Sequence, residues 1–180
     1  ESDTGLDLAM KWERKLTPAI GAEMARWAQI HRLARVAVNG QVATEFRTPS
    51  LQFGKARVAL PPETFLQPTA EGETALRERV LAAGKNAKAV ADLFAGCGTF
   101  TFPLAEKARI HAVEWDKPAL AAIAAAAKAT QGLKPITTEA RDLFKLPLSG
   151  DELKPYAAVV LDPPRAGAHA QARALAASSV

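Results

Sequence analysis

Apolar residues recur along the chain with two periods, and the way those periods alternate divides it in two. After Thr17-Pro18, a cap followed by a first-turn proline, Ile20, Met24, Trp27 and Ile30 return at helical spacing. Residues 33–38 and 41–46 are strand-like runs on either side of Asn39-Gly40, the dipeptide of a tight hairpin, and residues 56–60 read as a further strand. Together these make a small α+β piece, residues 1–62, closed by Pro61-Pro62, which cannot continue a ladder. Beyond the prolines strand and helix alternate. Thr69 caps a helix through Leu76, Val80 and Leu81 that stops at Gly84. Strand 89–94, a helix from about Thr101, strand 110–114, helix 118–131, strand 136–140, strand 157–162 and a closing helix follow. That rhythm predicts an α/β fold over residues 63–180, a mostly parallel sheet with helices on its faces.

Composition narrows the class. With 48% hydrophobic and 23% charged residues over 180 positions, the chain has enough apolar side chains for a packed core and is not a disordered one. A single cysteine excludes an internal disulfide, a thiolate zinc cage and an iron–sulfur cluster held by this chain alone, and fits a reducing cytoplasm. His31, His111 and His169 show no ligand spacing, so no metal is expected. No apolar run reaches the roughly 18–20 residues of a membrane span, since Lys117 and Lys128 bracket the alanine-rich stretch. Glu1-Ser2-Asp3-Thr4 has neither an initiator Met nor the layout of a signal peptide, and the chain is expected to be a piece of a longer one. The net charge of +4 favours an anionic partner. Lys11, Arg14, Lys15, Arg26, Arg32 and Arg35 are candidates to touch RNA phosphates, against the plainer reading of a solvated face.

Ligands of open parallel sheets bind beyond the carboxyl ends of the strands, so the polar residues there carry the chemistry. After the first strand, Asp92-Leu93-Phe94-Ala95-Gly96-Cys97-Gly98-Thr99-Phe100 supplies a glycine turn whose backbone can approach a ligand. Glu114 ends the next strand, 22 residues after Asp92, where a carboxylate can accept from two ribose hydroxyls. A dinucleotide fingerprint would need a third glycine at position 101, which is Thr101. S-adenosylmethionine, with a nucleoside, a carboxylate and an ammonium but no pyrophosphate, suits one glycine turn and carboxylates at successive strand ends. Asp142 follows the third strand and can meet an adenine amino group or serve as a turn cap. Asp162, stiffened by Pro163-Pro164, is suited to hold a substrate at the crevice edge.

Asp92–Phe100, the upstream Phe65-Leu66-Gln67, Glu114 and Asp162-Pro163-Pro164-Arg165-Ala166-Gly167 resemble the RNA uracil-C5 methyltransferases, which make 5-methyluridine. Thr4-Gly5-Leu6-Asp7 and the hairpin resemble that family's central domain. The resemblance implies a class I methyltransferase (Rossmann-like) sheet, truncated, preceded by part of the central α+β domain. It implies S-adenosylmethionine as cofactor and rRNA or tRNA as partner. Gln67, Phe94, Gly96, Gly98, Thr99, Glu114, Asp142 and Asp162 match cofactor-site positions, and Asp162 also lies beside the target base. Thr99 and Asp142 stand where members often carry Asn. Arg165 follows Asp-Pro-Pro where amino-group methyltransferases of this fold usually place an aromatic residue. In the family a Cys thiolate adds to uracil C6 and a base later removes the C5 proton. That Cys is expected to lie outside this chain, Cys97 being in the glycine turn. The chain by itself is therefore expected to be inactive, with an open sheet edge that could self-associate. Alternatives are methyl transfer to another nucleophile, such as an exocyclic amine, and a non-catalytic nucleoside-binding module.

Overall fold

The computed structural model describes residues 1–13 and 15–180, which form two compact units: Glu1–Gln52 with Arg57–Thr64, and Phe53–Ala56 with Phe65–Val180. In the first, β1 (Asp7–Met10), β2 (Arg35–Val38) and β3 (Gln41–Glu45) form a sheet in that order, β1 parallel and β3 antiparallel to β2. Asn39 and Gly40 both have positive φ, 50° and 77°, the backbone of a tight turn whose twist matches the strands it joins. Helix α1 (Pro18–Ile30) starts where Thr17 accepts the Ile20 N–H. It buries Ala28 against Leu33, Val36 and Val38, with Met24, Leu8 and Met10 completing the cluster. The sequence pattern does not reveal β1, because these four residues become a strand by pairing with β2, some 28 residues on.

Arg35 overturns its reading as an RNA contact. It is 3% exposed, pairs with both Asp7 oxygens at 2.9 and 2.6 Å, and donates to the Leu60 carbonyl at 2.8 Å. Lys11 is bound to Glu63 at 2.9 Å, which holds that carboxyl below its ordinary range. Lys15, Arg26 and Arg32 are exposed, and Arg14 lies outside the described residues. Arg35→Met is expected to destabilise the protein by about 3 kcal/mol, because it leaves Asp7 and a buried carbonyl without their donor. Arg35→Lys should fall between, since an ammonium cannot reproduce the fork. Urea denaturation checks both.

The hairpin of β4 (Ser50–Phe53) and β5 (Ala56–Ala59) turns at Gly54. β5 answers the expected strand, while its partner β4, Ser50-Leu51-Gln52-Phe53, was not expected, because an alternation of four residues is too short to stand out. In the second unit, α2 (Ala70–Ala83) is capped by Thr69, and β6 (Ala89–Leu93), α3 (Thr101–Ala105), β7 (Arg109–Glu114), α4 (Lys117–Ala129) and β8 (Ile136–Ala140) alternate as expected. α5 (Gly150–Leu153), a single turn closed by a Ser149–Glu152 capping box, was not expected; it is too short to show a helical period. β9 (Ala158–Leu161) and α6 (His169–Ala176) end the chain's regular structure. The sheet order is β8-β7-β6-β9, every pairing parallel. β6 is buried throughout, and its alternate residues feed two cores. Val90 packs with Phe100, Leu104 and Ile110, while Ala91 and Leu93 pack with Val113, Leu143, Leu148 and Leu153. Two covered faces are what a parallel sheet requires. β9 pairs with β6 alone among the described strands and forms one edge.

Candidate functional site

Strand order fixes where a ligand can enter the second unit. From β6 the chain steps outward through β7 to β8, then returns to add β9 on the other side of β6. Loops leaving the carboxyl ends of β6 and β9 therefore diverge, and the crevice of an open parallel sheet lies between them. Backbone bonds extend the row past the strand ends. Ala95 N–H donates to the Val113 carbonyl at 3.2 Å, Arg141 N–H to Glu114 at 3.0 Å, and Asp162 N–H to Leu93 at 3.4 Å. Asp142, Glu114, the Phe94–Gly98 turn and Asp162 thus stand at one edge, across four neighbouring strands.

Glu114 joins two of those ends. One of its oxygens accepts the Gly96 N–H at 2.9 Å, and the other accepts the Trp115 and Asp116 N–H groups at 2.7 and 3.0 Å. The turn between demands its glycines differently. Gly98, at φ 93°, lies where an added Cβ would meet the Phe102 ring at 2.7 Å, whereas a Cβ on Gly96, at φ 53°, meets nothing within 4 Å. Gly98 is needed for close packing, and Gly96 borders open space. Phe94 takes φ 61°, a left-handed conformation costing a non-glycine residue about 1–2 kcal/mol, and its ring meets Phe144 edge-on at 5.4 Å. Such strain concentrates at functional sites. Thr99 is half-buried in the same turn.

Asp162 is brought to Gln67 from 95 residues away, its carboxylate accepting from the Gln67 amide at 3.2 Å. Partial burial pushes its carboxyl above the ordinary range. Asp142 behaves as a turn cap: it accepts the Phe144 N–H at 3.1 Å and pairs with Lys145 at 3.1 Å, which lowers its pKa. It follows β8 at the carboxyl edge, as its sequence position predicts, but its carboxylate is engaged within its own loop. Cys97 is buried. His31 and His169 are exposed, and no cluster of three or more His, Cys, Asp or Glu side chains is arranged to hold a metal among the described residues. No described helix is long and apolar enough to cross a membrane.

Sequence reasoning overlooked Asp92 as a chemical group. It is 1% exposed inside β6 and accepts the Thr101 hydroxyl at 2.5 Å. Burial pushes its carboxyl up to about 7; Thr101 opposes the rise, and the negative charges of Asp162 and Glu114 add to it. Thr101, the first residue of α3, is the residue that satisfies this carboxyl. A carboxylate within an apolar strand was the available signal. Also unread were Trp115 and Phe144, exposed aromatics at the ends of β7 and β8. The arrangement offers carboxylates for hydroxyl and cationic donors, a glycine turn with room beside it and aromatic faces at the rim. Those features fit a nucleoside bearing positive charge.

No protein-family model matches the sequence. A Rhizobium meliloti protein named as an uncharacterized RNA methyltransferase is 46% identical over 180 residues, all of this chain and 43% of the relative. A 23S rRNA (uracil-C5)-methyltransferase of Dichelobacter nodosus is 38% identical over 120 residues, 63% of this chain and 28% of the relative. Among solved structures, a Pyrococcus abyssi tRNA (uracil-54, C5)-methyltransferase in complex with S-adenosyl-L-homocysteine aligns with a TM-score of 0.68 at 14% identity. That alignment covers 94% of this chain and 42% of that one, and shows the class I methyltransferase fold. The chain spans less than half the length of these relatives.

Proposed function

Because the chain is homologous along its whole length to proteins named as RNA methyltransferases and belongs with them, and over 63% of its length to a uracil-C5 methyltransferase, we propose that it forms the cofactor-binding part of an enzyme that makes 5-methyluridine in rRNA or tRNA. S-adenosylmethionine is the cofactor of this reading. When bound it supplies an electrophilic methyl group on a sulfonium. The observation that carries the reading is the tie between Glu114 and Gly96 at the carboxyl edge, beside the strand-order reversal. Glu114 accepts from the ribose hydroxyls after releasing loop amides, Phe94 and the open side of Gly96 line the cofactor, and Gln67, Gly98, Thr99 and Asp142 complete its surroundings. Asp162, held by Gln67 and stiffened by Pro163-Pro164, positions the target base. Residues 1–62 are read as part of a central α+β domain and 63–180 as the first half of the methyltransferase domain.

Uracil C5 is a poor nucleophile until a thiolate adds to C6, and the adduct's proton at C5 must leave after methylation. Cys97 is buried in the glycine turn, so these 180 residues by themselves are read as binding cofactor weakly or partially, without methyl transfer. The edge of β9, which pairs with β6 alone among the described strands, is the surface through which self-association is read.

Calorimetric titration with S-adenosylhomocysteine tests the cofactor reading. Glu114→Ala should weaken binding about 30- to 150-fold, the loss of 2–3 kcal/mol in hydrogen bonds to a carboxylate. Absence of heat from the unaltered chain, or equal affinity in the variant, would count against it. For the substrate, the full-length protein and RNA tritiated at uridine C5 should release tritium in step with methylation. Methylation without release would favour an exocyclic amine, and binding with neither would favour a non-catalytic module.

A further inference from the structure

The opposite edge of the parallel sheet carries a concentration of positive charge that the crevice does not use. Three turns enter the amino ends of β6, β7 and β8, and they bring Lys85 and Lys88, Lys107 and Arg109, and Lys134 to that edge. Backbone contacts make these turns neighbours: Arg109 N–H donates to the Lys88 carbonyl at 3.1 Å, Lys134 N–H to Ala105 at 2.7 Å, and Ile110 N–H to Pro135 at 2.9 Å. The Lys55 ammonium adds a sixth cation, 3.5 Å from where a Cβ on Gly132 would stand. All five turn cations are exposed, and none has an ion-pair partner in the described structure, although ten ion pairs form elsewhere. Against them stands one carboxylate, Glu106, so the three turns carry +4, equal to the formal net charge of the whole chain.

Cations drawn together without counter-charges repel one another, and an anionic partner relieves that repulsion. Four of the five are lysines, compact point charges on flexible stems suited to a run of phosphates rather than to one fixed anion. No exposed large apolar side chain lies in these turns, which disfavours a protein partner anchored by a hydrophobic hot spot. We propose that this amino edge is a phosphate-backbone contact surface for RNA, distinct from the cofactor crevice. The inference rests on the RNA reading above and deepens it. β6 is five residues long, so the two edges are about 16 Å apart, and the surface engages a different stretch of RNA from the one presenting the target base. Its contribution is affinity and orientation, not choice of base.

The test is fluorescence anisotropy of the 180-residue chain with a labelled uridine-containing RNA stem-loop, titrated at several salt concentrations. The triple variant Lys88→Gln, Arg109→Gln, Lys134→Gln is expected to lose at least tenfold in affinity near physiological salt. The slope of log affinity against log salt should fall by about 2–3, because each lost phosphate contact removes about 0.7–0.9. Lys88→Arg with Lys134→Arg should keep the affinity, and thermal denaturation should place all variants at the same midpoint. Unchanged affinity and slope in the triple variant would overturn the proposal. So would binding of the unaltered chain to phosphatidylserine vesicles, lost in the triple variant, with no binding to RNA. Loss of S-adenosylhomocysteine binding in the unaltered chain, with the RNA effects intact, would instead defeat the cofactor reading and leave this surface standing.

Discussion

Gly98→Ala is expected to destabilise the second unit by about 2–5 kcal/mol, a large share of the stability of an ordinary domain. The new methyl group would stand 2.7 and 2.9 Å from two carbons of the Phe102 ring and 3.3 Å from Ile123. Phe102 and Ile123 are fully buried, so neither can withdraw without displacing the core. Overpacking of this kind costs about 1–3 kcal/mol, and φ 93° adds backbone strain that only glycine escapes. Gly96→Ala is the matched control. Its Cβ enters open space, and φ 53° lies in the left-handed region, so the cost is about 1–2 kcal/mol. Urea unfolding of the two variants should rank them in that order. If Gly96→Ala were the more damaging, the packing assigned to this turn would be wrong. The same control narrows the space beside Gly96, and should therefore weaken cofactor binding more than it weakens the fold.

The second large effect is a stability that falls as pH rises. Burial holds the Asp92 carboxyl at about 7 in the folded chain, against 3.8 for an ordinary aspartate. Below about pH 4 the group is protonated in both states and contributes no pH dependence. Between about 4 and 7 the folded chain keeps a proton that the unfolded chain has lost, so each step upward in pH favours unfolding. Above about 7 the full penalty is present. At about 1.4 kcal/mol per unit, the difference between pH 4 and pH 8 is on the order of 4 kcal/mol. Asp92→Asn should remove most of this slope while keeping an acceptor for the Thr101 hydroxyl; Asp162, also raised, keeps a share of the same sign. Glu152, drawn down to about 2 by Arg141, titrates below this window. Chemical denaturation at pH 5 and pH 8 decides the matter: equal slopes in the two proteins would show that Asp92 is not the group responsible.

Both predictions turn on positions that read differently in sequence and in space. Gly96 and Gly98 look equivalent in the run Ala95-Gly96-Cys97-Gly98, yet only Gly98 is pressed against an aromatic ring, and that ring belongs to the following helix. Asp92 looks like the first letter of a cofactor motif. Its burial depends on β7 and β9 pairing on both sides of β6, with Thr101 folded back over it. Arg35 looked like one cation in a basic stretch, and pairing of β1 with β2 turned it into an internal partner of Asp7. The five turn cations of the amino edge lie up to 49 residues apart in sequence, so no local pattern gathers them.

Local chemistry was enough for features that local chemistry controls. The Asn39-Gly40 hairpin, the Thr69 and Asp116 caps, the alternation of strand with helix, and the placing of Phe94, Glu114, Asp142 and Asp162 at strand ends all follow from side chains acting within a few residues. The order β8-β7-β6-β9 does not. Parallel strands are joined by long crossovers, so which strand lies beside which is decided by burial of whole faces rather than by any turn. That order places Asp162 next to β6, brings Gln67 to it, and leaves Asp92 without water. The sequence determined which groups the edge of the sheet would carry; only the packed sheet determined which of them meet and which ionise.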